Sequence, residues 1–464
     1  MALWSVRSIV ETYENHRLDS EYFRQDYADI EKKVKGFEWT PLGKVAQYIK
    51  RGLQPVYNGD GSIPVLRTVN IREEGFSDTR QEYVNEDFYQ QNPRGQVYNL
   101  DILITSTGVG TLGRVTYVDE NTPFFADGHI SILRGITQRD PRFISVFLQS
   151  KVGLALIEQR QRGSSGQIEI YPDDLASIPI PKLDSRFEEE IASYVSQSRE
   201  LRHTAKAFYV EAENLLIKEL DLNIKDLSSQ LTYIANSNEV MDSQRLDAEF
   251  FRLKYYQLID SIRTLKPKQL VPLGDLLDVL TNGHTPLRHN LSIGEIPFLT
   301  AENIYDFRIN FNTENRITLE HHQNELKRTQ LHEGDLLVTI KGRIGNAVLV
   351  TNLPSPININ QDIALLRLKP EFNPYSYFIV GFLNSEAGKL LAKQLSTGQI
   401  NPFLGLSNLR QILIPLFDNE LMKRLSAKIQ EKLTQSRNAE EDAVRLLETA
   451  KQQIEDMIVN GASY

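Results

Sequence analysis

Two hydrophobic patterns alternate along the chain. Segments of about 180 residues contain short apolar runs that are rich in β-branched residues and bounded by turn residues, which predicts strands. Each segment is followed by a charged stretch almost free of Gly and Pro, in which apolar residues recur at steps of four and three. That spacing predicts a long helix with a heptad seam. The predicted fold class is therefore α+β, with two tandem mixed α/β segments that are each followed by a long helix.

The two predicted helices have matching seams. The first helix should run from about Arg186 to Leu220, which at 1.5 Å per residue is a length of about 50 Å. Its seam residues are Phe187, Ile191, Tyr194, Ser198, Leu201, Ala205, Phe208, Ala212 and Leu215. Those of the second helix are Ile429, Leu433, Ser436, Glu440, Ala443, Leu447, Ala450, Ile454 and Met457. We expect the helices to pack on each other or on a partner; the alternative is two ordinary amphipathic helices, each packed on its own globule.

Six short segments of the first half recur in the same order in the second half. The pairs are Arg17–Phe23 with Arg245–Phe251, Pro41–Gly43 with Pro272–Gly274, Ile63–Ile71 with Ile296–Ile304, Asp101–Thr105 with Asp335–Thr339, Ile130–Arg134 with Ile363–Arg367, and Gly166–Ile168 with Gly398–Ile400. Six ordered matches at an almost constant offset indicate a tandem duplication. The predicted segments are 1–185 and 236–418, which are mixed domains, and 186–235 and 419–464, which are helical spacers.

Composition narrows the class of protein. The chain has no cysteine, which excludes disulfides, thiolate metal sites and a catalytic cysteine. No window approaches 18 uninterrupted apolar residues, so we expect a cytoplasmic protein without a membrane span or signal peptide. The net charge of −9 argues mildly against a general polyanion binder, although local basic faces could still meet phosphate.

A glycine-rich segment in each half is the main candidate for chemistry. Gly108, Gly110 and Gly113 have the spacing of a dinucleotide fingerprint, but the residues after them are strand-like and offer no helix N-terminus to a pyrophosphate. We therefore predict a hairpin turn in which glycine supplies positive φ. The second half keeps equivalents of this turn at Gly342 and Gly345. Small hydroxyls and cations around exposed amides suit contact with phosphate or with base edges, and a bland solvated turn is the alternative.

The candidate DNA-contacting residues lie in these turns and in the Gly-Gln loops that follow a predicted helix in each half. They are Thr105, Ser106, Thr107, Gly108, Gly110, Arg114, Arg162, Ser164, Ser165 and Gln167 in the first half, and Lys341, Gly342, Arg343, Thr397 and Gln399 in the second.

Catalytic signatures do not appear in the sequence. It contains no H-E-x-x-H and no G-x-S-x-G, and Asn401–Leu404 (NPFL) departs from the Asn/Asp-Pro-Pro-aromatic motif of amino-methyltransferases. His129 and Asp362 occupy equivalent places in the two halves. A catalytic residue should keep its type in a working duplicate, so we interpret these two as variable recognition or packing positions.

The order and duplication of these segments resemble the specificity subunit of a type I restriction–modification system. The RLDSEYF and RLDAEFF segments, the two glycine-rich turns and the Gly-Gln segments that lead into the helices carry the resemblance, which covers essentially the whole chain. It implies two target recognition domains that each read one half of a split double-stranded DNA target. It also implies that the two long helices pair as an antiparallel coiled coil whose length sets the gap between the half-sites.

The resemblance further implies a subunit without an active site or a metal or cofactor of its own. Two methyltransferase subunits that use S-adenosylmethionine would dock on it, together with ATP- and Mg-dependent restriction subunits in the full nuclease. The expected subunit or coiled-coil interface consists of Phe187, Ile191, Leu201, Phe208, Leu215, Ile429, Leu433, Leu447 and Ile454. The alternatives are a duplicated coiled-coil scaffold or adaptor, and a fragment of a fused restriction–methyltransferase enzyme.

Overall fold

The chain forms two compact units, of which the first contains both ends of the chain and the second is its middle part. The structure, a computed structural model, describes residues 12, 17–77, 80–108, 110–163, 168–224, 227–228, 230, 234, 237–286, 291, 293–305, 307–398 and 401–461. Unit 1 consists of Met1–His203 with Ala439–Tyr464, and unit 2 consists of Thr204–Asn438.

Short strands and short helices make up most of each unit, and two helices are far longer than the rest. The helices are α1 Gln25–Lys35, α2 Leu42–Val45, α3 Glu86–Gln91, α4 Pro141–Gln149, α5 Lys151–Gln159, α6 Pro172–Ala176, α7 Ser185–Glu219, α8 Ser237–Ser243, α9 Leu253–Thr264, α10 Leu319–Gln323, α11 Ser376–Asn384, α12 Glu386–Leu395, α13 Leu406–Leu409 and α14 Asn419–Val459. Short 3₁₀ helices span Pro93–Gly95, Leu273–Leu276, Ala301–Asn303, Lys327–Thr329 and Pro370–Tyr375.

The strands divide evenly between the halves of the chain. The strands of unit 1 are β1 Trp39–Pro41, β2 Tyr48–Arg51, β3 Ile63–Leu66, β4 Ile71–Arg72, β5 Gly75–Phe76, β6 Glu82–Val84, β7 Gln96–Val97, β8 Ile102–Thr105, β9 Val115–Tyr117, β10 Phe124–Ala126, β11 Ile130–Arg134 and β12 Pro179–Pro181. Those of unit 2 are β13 Gln269–Pro272, β14 Leu277–Asn282, β15 Ile296–Leu299, β16 Ile304–Tyr305, β17 Arg308–Ile309, β18 Arg316–Ile317, β19 Leu336–Thr339, β20 Ala347–Leu349, β21 Asn358–Ile359, β22 Ile363–Leu368 and β23 Leu413–Leu416.

The sheets of the two units have the same strand order, except that the second sheet has one strand fewer in unit 2. The main sheet has the order β2-β11-β8-β9 in unit 1 and β14-β22-β19-β20 in unit 2. The second sheet has the order β6-β3-β10-β7 in unit 1 and β18-β15-β21 in unit 2, and in each unit its one parallel pair is the equivalent one, β3 with β10 or β15 with β21. The shared order confirms the tandem duplication and the α+β fold class that the sequence predicts.

A buried ion pair explains one of the repeated segments. Asp101, at the start of β8, is 1% exposed and accepts two hydrogen bonds from Arg134 of β11, at 2.8 and 2.7 Å. Asp335 is equally buried and accepts bonds of 2.7 and 2.8 Å from Arg367 of β22. Burial raises the pKa of the Asp101 carboxyl, although the Arg134 hydrogen bonds oppose this shift. Because a buried carboxylate needs such a partner, the DILIT and DLLVT segments recur together with an arginine on the neighbouring strand.

In unit 1, the first part of α7 packs against the last part of α14. Ile191 and Ile454 are both fully buried in the core of this unit. Ser198 donates a hydrogen bond from Oγ to the backbone oxygen of Ala443, at 2.7 Å, and Arg202 forms an ion pair with Glu440. Later residues of α7 contact earlier residues of α14, so the two segments run antiparallel.

In unit 2, the last part of α7 packs against the first part of α14 in the equivalent way. Ser436 Oγ donates to the backbone oxygen of Ala205, at 2.8 Å, and so mirrors the Ser198 contact of unit 1. Lys432 forms an ion pair with Glu211, and Lys428 forms one with Glu219, both at 2.7 Å. The pairing within each unit is antiparallel, as predicted.

At two places the buried residue of α7 lies one position after the predicted seam residue. Ile191 and Ser198 are buried as expected, but Val195 is buried between them, whereas the predicted Tyr194 is half-buried. Towards the end of α7 the buried residue is Leu216, and Leu215 is half-buried. Residues three and four positions after a seam residue flank the same helix face, so heptad counting alone does not select between them.

The observed bounds of α7, Ser185–Glu219, agree within one residue with the predicted bounds Arg186–Leu220.

The division into segments 1–185, 186–235, 236–418 and 419–464 stays a prediction, since the boundary between the two compact units falls within both long helices. No helix in the described part of the chain combines the length and the apolar composition that crossing a membrane requires.

Candidate nucleic-acid interface

The glycine-rich segment of unit 1 is a hairpin turn between β8 and β9, as predicted. Gly108, Gly110 and Gly113 have φ values of 101°, 78° and 83°, a region that disfavours residues with a Cβ. Thr105 and Ser106 are fully buried: the Thr105 hydroxyl bonds the backbone of the turn, and Ser106 Oγ lies 2.6 Å from Ser131 Oγ. Their side chains therefore hold the turn from inside and do not face solvent.

Unit 2 builds the same turn between β19 and β20. Gly342 and Gly345 have φ values of 71° and 88°. The buried Thr339 hydroxyl accepts a hydrogen bond from the backbone nitrogen of Asn346, at 3.2 Å, and donates to the backbone oxygen of Arg343. Lys341 and Arg343 are exposed on this turn. The scaffold is thus shared, and the side chains on it differ between the units.

In unit 1, a single residue joins the hairpin turn to the base of the Gly-Gln loop. Glu169 forms a β-bridge with Thr107 of the turn and a second β-bridge with Arg162. The second bridge has hydrogen bonds of 2.7 Å from Arg162 N to Glu169 O and 2.9 Å in the reverse direction. Ile170 N adds a 3.0 Å bond to Ser106 O. Two candidate segments that lie far apart in the sequence therefore meet at Glu169.

In unit 2, Phe403 takes the place of Glu169. It bridges Lys341 of the turn and Thr397 at the base of the loop. The hydrogen bonds between Thr397 and Phe403 are 2.9 and 2.8 Å long, and Leu404 N donates to Ile340 O at 3.0 Å. We call each of these places a loop junction. The junction of unit 1 contains Thr107, His129, Arg162 and Glu169, and that of unit 2 contains Lys341, Asp362, Thr397 and Phe403.

The turn before β11 or β22 supplies the fourth member of each junction. His129 Nδ1 lies 2.9 Å from Thr107 Oγ1. The backbone oxygen of His129 accepts a hydrogen bond from the backbone nitrogen of Ser106. In unit 2, Asp362 Oδ1 lies 3.5 Å from Lys341 Nζ. His129 and Asp362 were interpreted only as variable positions, because the sequence does not show that they meet the hairpin turn.

Charged groups at the junction of unit 1 are paired with one another. Arg162 donates two hydrogen bonds to Asp174, at 2.8 and 2.7 Å, and these raise the pKa of its guanidinium. Arg51 lies 3.1 Å from Glu169 and 4.9 Å from the centre of the half-exposed Tyr171 ring. Sequence reasoning missed Arg51, Glu169 and Tyr171, since no motif surrounds them. In unit 2 the comparable contact is Lys341 Nζ, 5.5 Å from the Phe403 ring centre.

The remaining candidate residues lie around the junctions or outside the described residues. Arg114 is half-buried and donates to Gly110 O at 3.0 Å, and Thr397 is exposed. Four candidates fall outside the described residues, namely Ser164, Ser165, Gln167 and Gln399.

The expected interface residues lie on the long helices, at different depths. Those that are buried are Phe187, Ile191, Ile429, Leu447 and Ile454, and those that are half-buried are Leu201, Phe208, Leu215 and Leu433. Lys432 Nζ of α14 lies 4.9 Å from the centre of the Phe208 ring. These helix residues contribute to the packing inside each unit.

Comparison with known protein families finds a match in the second half of the chain. Residues 266–443 match the family model of the type I restriction modification DNA specificity domain. Unit 1 repeats the strand order of the main sheet and the loop junction of this range. The second half of the chain therefore contains a type I restriction modification DNA specificity domain, in agreement with the family that the sequence resembles.

Other comparisons show only distant similarity. No curated protein matches the chain. A type I restriction–modification S subunit from M. genitalium is 15% identical, covers 90% of this chain and 96% of its own, and has a TM-score of 0.41. The HsdS subunit from Thermoanaerobacter tengcongensis is 16% identical, with coverages of 92% and 97% and a TM-score of 0.28. The type IIG restriction endonuclease BpuSI is 10% identical, with coverages of 41% and 30% and a TM-score of 0.29.

Proposed function

We propose that each unit reads one half of a split double-stranded DNA target and that the loop junctions make the contacts. The observation that carries this proposal is the duplicated junction with different side chains. Unit 1 presents Thr107, His129 and Arg162, whereas unit 2 presents Lys341, Asp362 and Thr397. Because base edges are distinguished by their donors and acceptors, two such different sets should select two different half-sites.

The chemistry of the junctions supports contact with a DNA groove. Hydroxyls, guanidinium groups and exposed backbone amides are the groups that bind phosphate oxygens and base edges. The positive-φ glycines Gly110 and Gly342 have open space where a side chain would stand, so the backbone of each turn is accessible. The loop residues Ser164, Ser165, Gln167 and Gln399, which lie outside the described residues, stay candidates for the same role.

The charge balance favours weak, salt-dependent binding by the isolated subunit. Arg162 and Arg51 already pair with Asp174 and Glu169, so a phosphate would compete with carboxylates for these cations. The whole chain carries a net charge of −9. Affinity that depends on a few phosphate contacts falls steeply with salt, so we expect tight binding only in the assembled complex.

Partner subunits complete the proposed function. We infer that two methyltransferase subunits that use S-adenosylmethionine dock on this chain, and that restriction subunits that need ATP and Mg join them in the full nuclease. On this proposal the chain binds no cofactor itself and acts in the cytoplasm. Alternating apolar residues and ion pairs along α7 and α14 would let the helices set the gap between the half-sites.

The test is deletion of the gene in its host, followed by comparison of the genome-wide adenine methylation pattern with that of the parent. The proposal predicts loss of one split motif, with two short specific halves around a fixed gap, and its return when the wild-type gene is restored. An unchanged pattern in a host whose methyltransferase is expressed would contradict the proposal and favour the scaffold alternative.

A further inference from the structure

The repeated RLD segment holds a buried arginine in a fixed orientation. In unit 1, Arg17 is 5% exposed and donates to both carboxylate oxygens of Asp19, at 2.6 and 2.7 Å. Its guanidinium carbon lies 4.8 Å from the centre of the Tyr22 ring, and Tyr22 N donates to Asp19 Oδ2. The carboxylate and the ring thus fix the plane of the guanidinium.

The free edge of this guanidinium binds the chain just after α5. Arg17 Nη2 donates to Gln161 O at 2.6 Å, and Nη1 donates to Arg160 O at 3.3 Å. Backbone oxygens at a helix C-terminus lack helical partners and carry partial negative charge, so a buried cation is favourable there. The contact spans 144 residues of sequence.

The peptide group between Gln161 and Arg162 is therefore held at both ends. Its oxygen accepts from Arg17, and its N–H donates to Glu169 O of the loop junction at 2.7 Å. A planar peptide group fixed on both sides has little freedom to rotate. This group therefore fixes the backbone at the loop junction of unit 1.

Unit 2 repeats these contacts, except that Arg245 donates one hydrogen bond to its aspartate where Arg17 donates two. Arg245 pairs with Asp247, lies 4.8 Å from the Phe250 ring centre, and donates to Ser396 O at 2.9 Å and to Leu395 O at 3.3 Å. The next amide, Thr397 N, donates to Phe403 O at 2.9 Å. The side chains of the two loops differ, but both arginines bind backbone oxygens only one residue before the loop junction.

We propose that Arg17 and Arg245 are positioning residues, each of which fixes the backbone of the loop junction in its own unit. Because they bind backbone oxygens, the side chains of the junction can vary without loss of this backbone arrangement. The inference rests on the proposed function only in taking the junctions as the places that contact DNA. Each arginine acts within one unit, so each should influence one half-site.

One contact differs between the units and supports the positioning role. Asp174 accepts two hydrogen bonds from Arg162 and lies 3.8 Å from Arg17 Nη1, so it links the buried arginine to a residue of the junction. The equivalent residue in unit 2 is Asn408, whose amide donates to Leu395 O at 2.8 Å. Asp174 thus contacts the buried arginine itself, and Asn408 contacts a backbone oxygen that Arg245 also binds. One side chain is a carboxylate and the other is an amide.

We call the contacts of Arg17 and Arg245 with these backbone oxygens the clamp. Amide hydrogen exchange on the full-length chain tests the clamp without any DNA. In Arg17→Ala we expect the amides of Arg162 and Glu169 to exchange about tenfold faster, whereas those of Thr397 and Phe403 stay as in the wild type. Arg245→Ala should give the reverse pattern. Arg24→Ala and Arg263→Ala are the controls, since both arginines are exposed and pair with carboxylates two or three residues away.

Milder variants keep the test decisive if an alanine variant fails to fold. Asp19→Asn and Asp247→Asn retain the arginine but remove the carboxylate that orients it, so they should give the same local pattern at smaller amplitude. Unchanged exchange at Arg162 and Glu169 in the Arg17 and Asp19 variants would overturn the proposal. So would faster exchange spread evenly through unit 1, because that would indicate a merely structural role.

The same variants in the host link the clamp to sequence selection. Restoring the deleted gene as Arg17→Ala should relax one half of the methylated motif, and Arg245→Ala should relax the other half. Relaxation of both halves by either variant, or of neither half despite faster local exchange, would overturn the positioning role. If even the wild-type gene restored no split motif, the proposed function would be wrong, and the exchange pattern would still decide whether the clamp exists.

Discussion

At the residue scale, equivalent positions in the two units carry different side chains on the same backbone frame. Thr107 corresponds to Lys341, His129 to Asp362 and Glu169 to Phe403, and each pair makes the same main-chain contacts. Buried residues that hold the frame keep their type, as Asp101 and Asp335 do. Selectivity should therefore be changed by single substitutions at the junctions without loss of the fold.

Arg343→Ala is predicted to weaken selection of one half-site about tenfold, since one contact to a base or phosphate is worth about 1–3 kcal/mol. Arg114→Ala removes an arginine from the turn of unit 1 and should affect the other half-site. The measurement is the methylated motif in a host that carries each variant gene. Equal damage to both halves by Arg343→Ala would mean that this residue holds structure.

The RLD carboxylates predict a dependence of stability on pH. The hydrogen bond from Arg17 lowers the pKa of Asp19 below its ordinary value, and Arg245 does the same for Asp247. Their contribution is therefore fully present above the ordinary Asp pKa of about 3.9 and is lost as the pH falls through the lowered folded-state pKa. Asp19→Asn should be less stable than the wild type at pH 6.

The check is urea unfolding of both proteins at several pH values. The difference in unfolding free energy should shrink as the pH approaches 3, and Asp247→Asn should follow the same course. A difference that stays constant down to pH 3 would contradict the assignment of the lowered pKa to these ion pairs.

At the element scale, α7 and α14 use small polar residues where the helices face each other. Ser198 and Ser436 are buried and donate to backbone oxygens of Ala443 and Ala205. In the sequence, Ser198 is the one polar residue among the predicted seam positions of α7. The structure shows it as a contact, because a serine lets the backbones approach and satisfies its own hydroxyl.

Ser198→Ala is predicted to lower the free energy of unfolding by about 1 kcal/mol through loss of one hydrogen bond. Ser198→Leu should lower it further, by about 1–3 kcal/mol, because the side chain would overfill the space between the helices. Urea unfolding of the full-length chain measures both effects. Ser193→Ala on the exposed face of α7 is the control, and a Leu variant as stable as the Ala variant would contradict this account.

At the scale of the whole molecule, the sequence repeats and the fold repeats with it. Both units have the same strand order, and each contains a segment of each long helix. On the proposed function, each copy of a duplicated recognition domain can diverge at its own junction while the shared helices remain. Domain selectivity and half-site spacing should then be separable by mutation.

Deletion of one heptad from each long helix is predicted to change the gap between half-sites and to leave the half-sites unchanged. Seven residues correspond to two helical turns, so the seams stay in register after paired deletions. The methylated motif in a host carrying the shortened gene is the measurement. Altered half-site letters would contradict the proposed division of labour between domains and helices.

The sequence by itself determined the duplication, the two long helices and the glycine hairpins. These features depend on local periodicity and on direct repetition, both of which are visible along the chain. The sequence also placed Thr107, Arg162, Lys341 and Thr397 among the candidates, because small polar and basic residues follow the ends of predicted elements.

Only the tertiary structure decided which candidates meet and how. It brought Glu169 and Phe403 into the loop junctions, turned Thr105 and Ser106 inward, and selected Val195 over Tyr194 for the helix seam. It also gave the RLD arginines their partners, which are backbone oxygens about 150 residues away. A backbone oxygen is the same in every residue, so no sequence pattern could have identified these contacts.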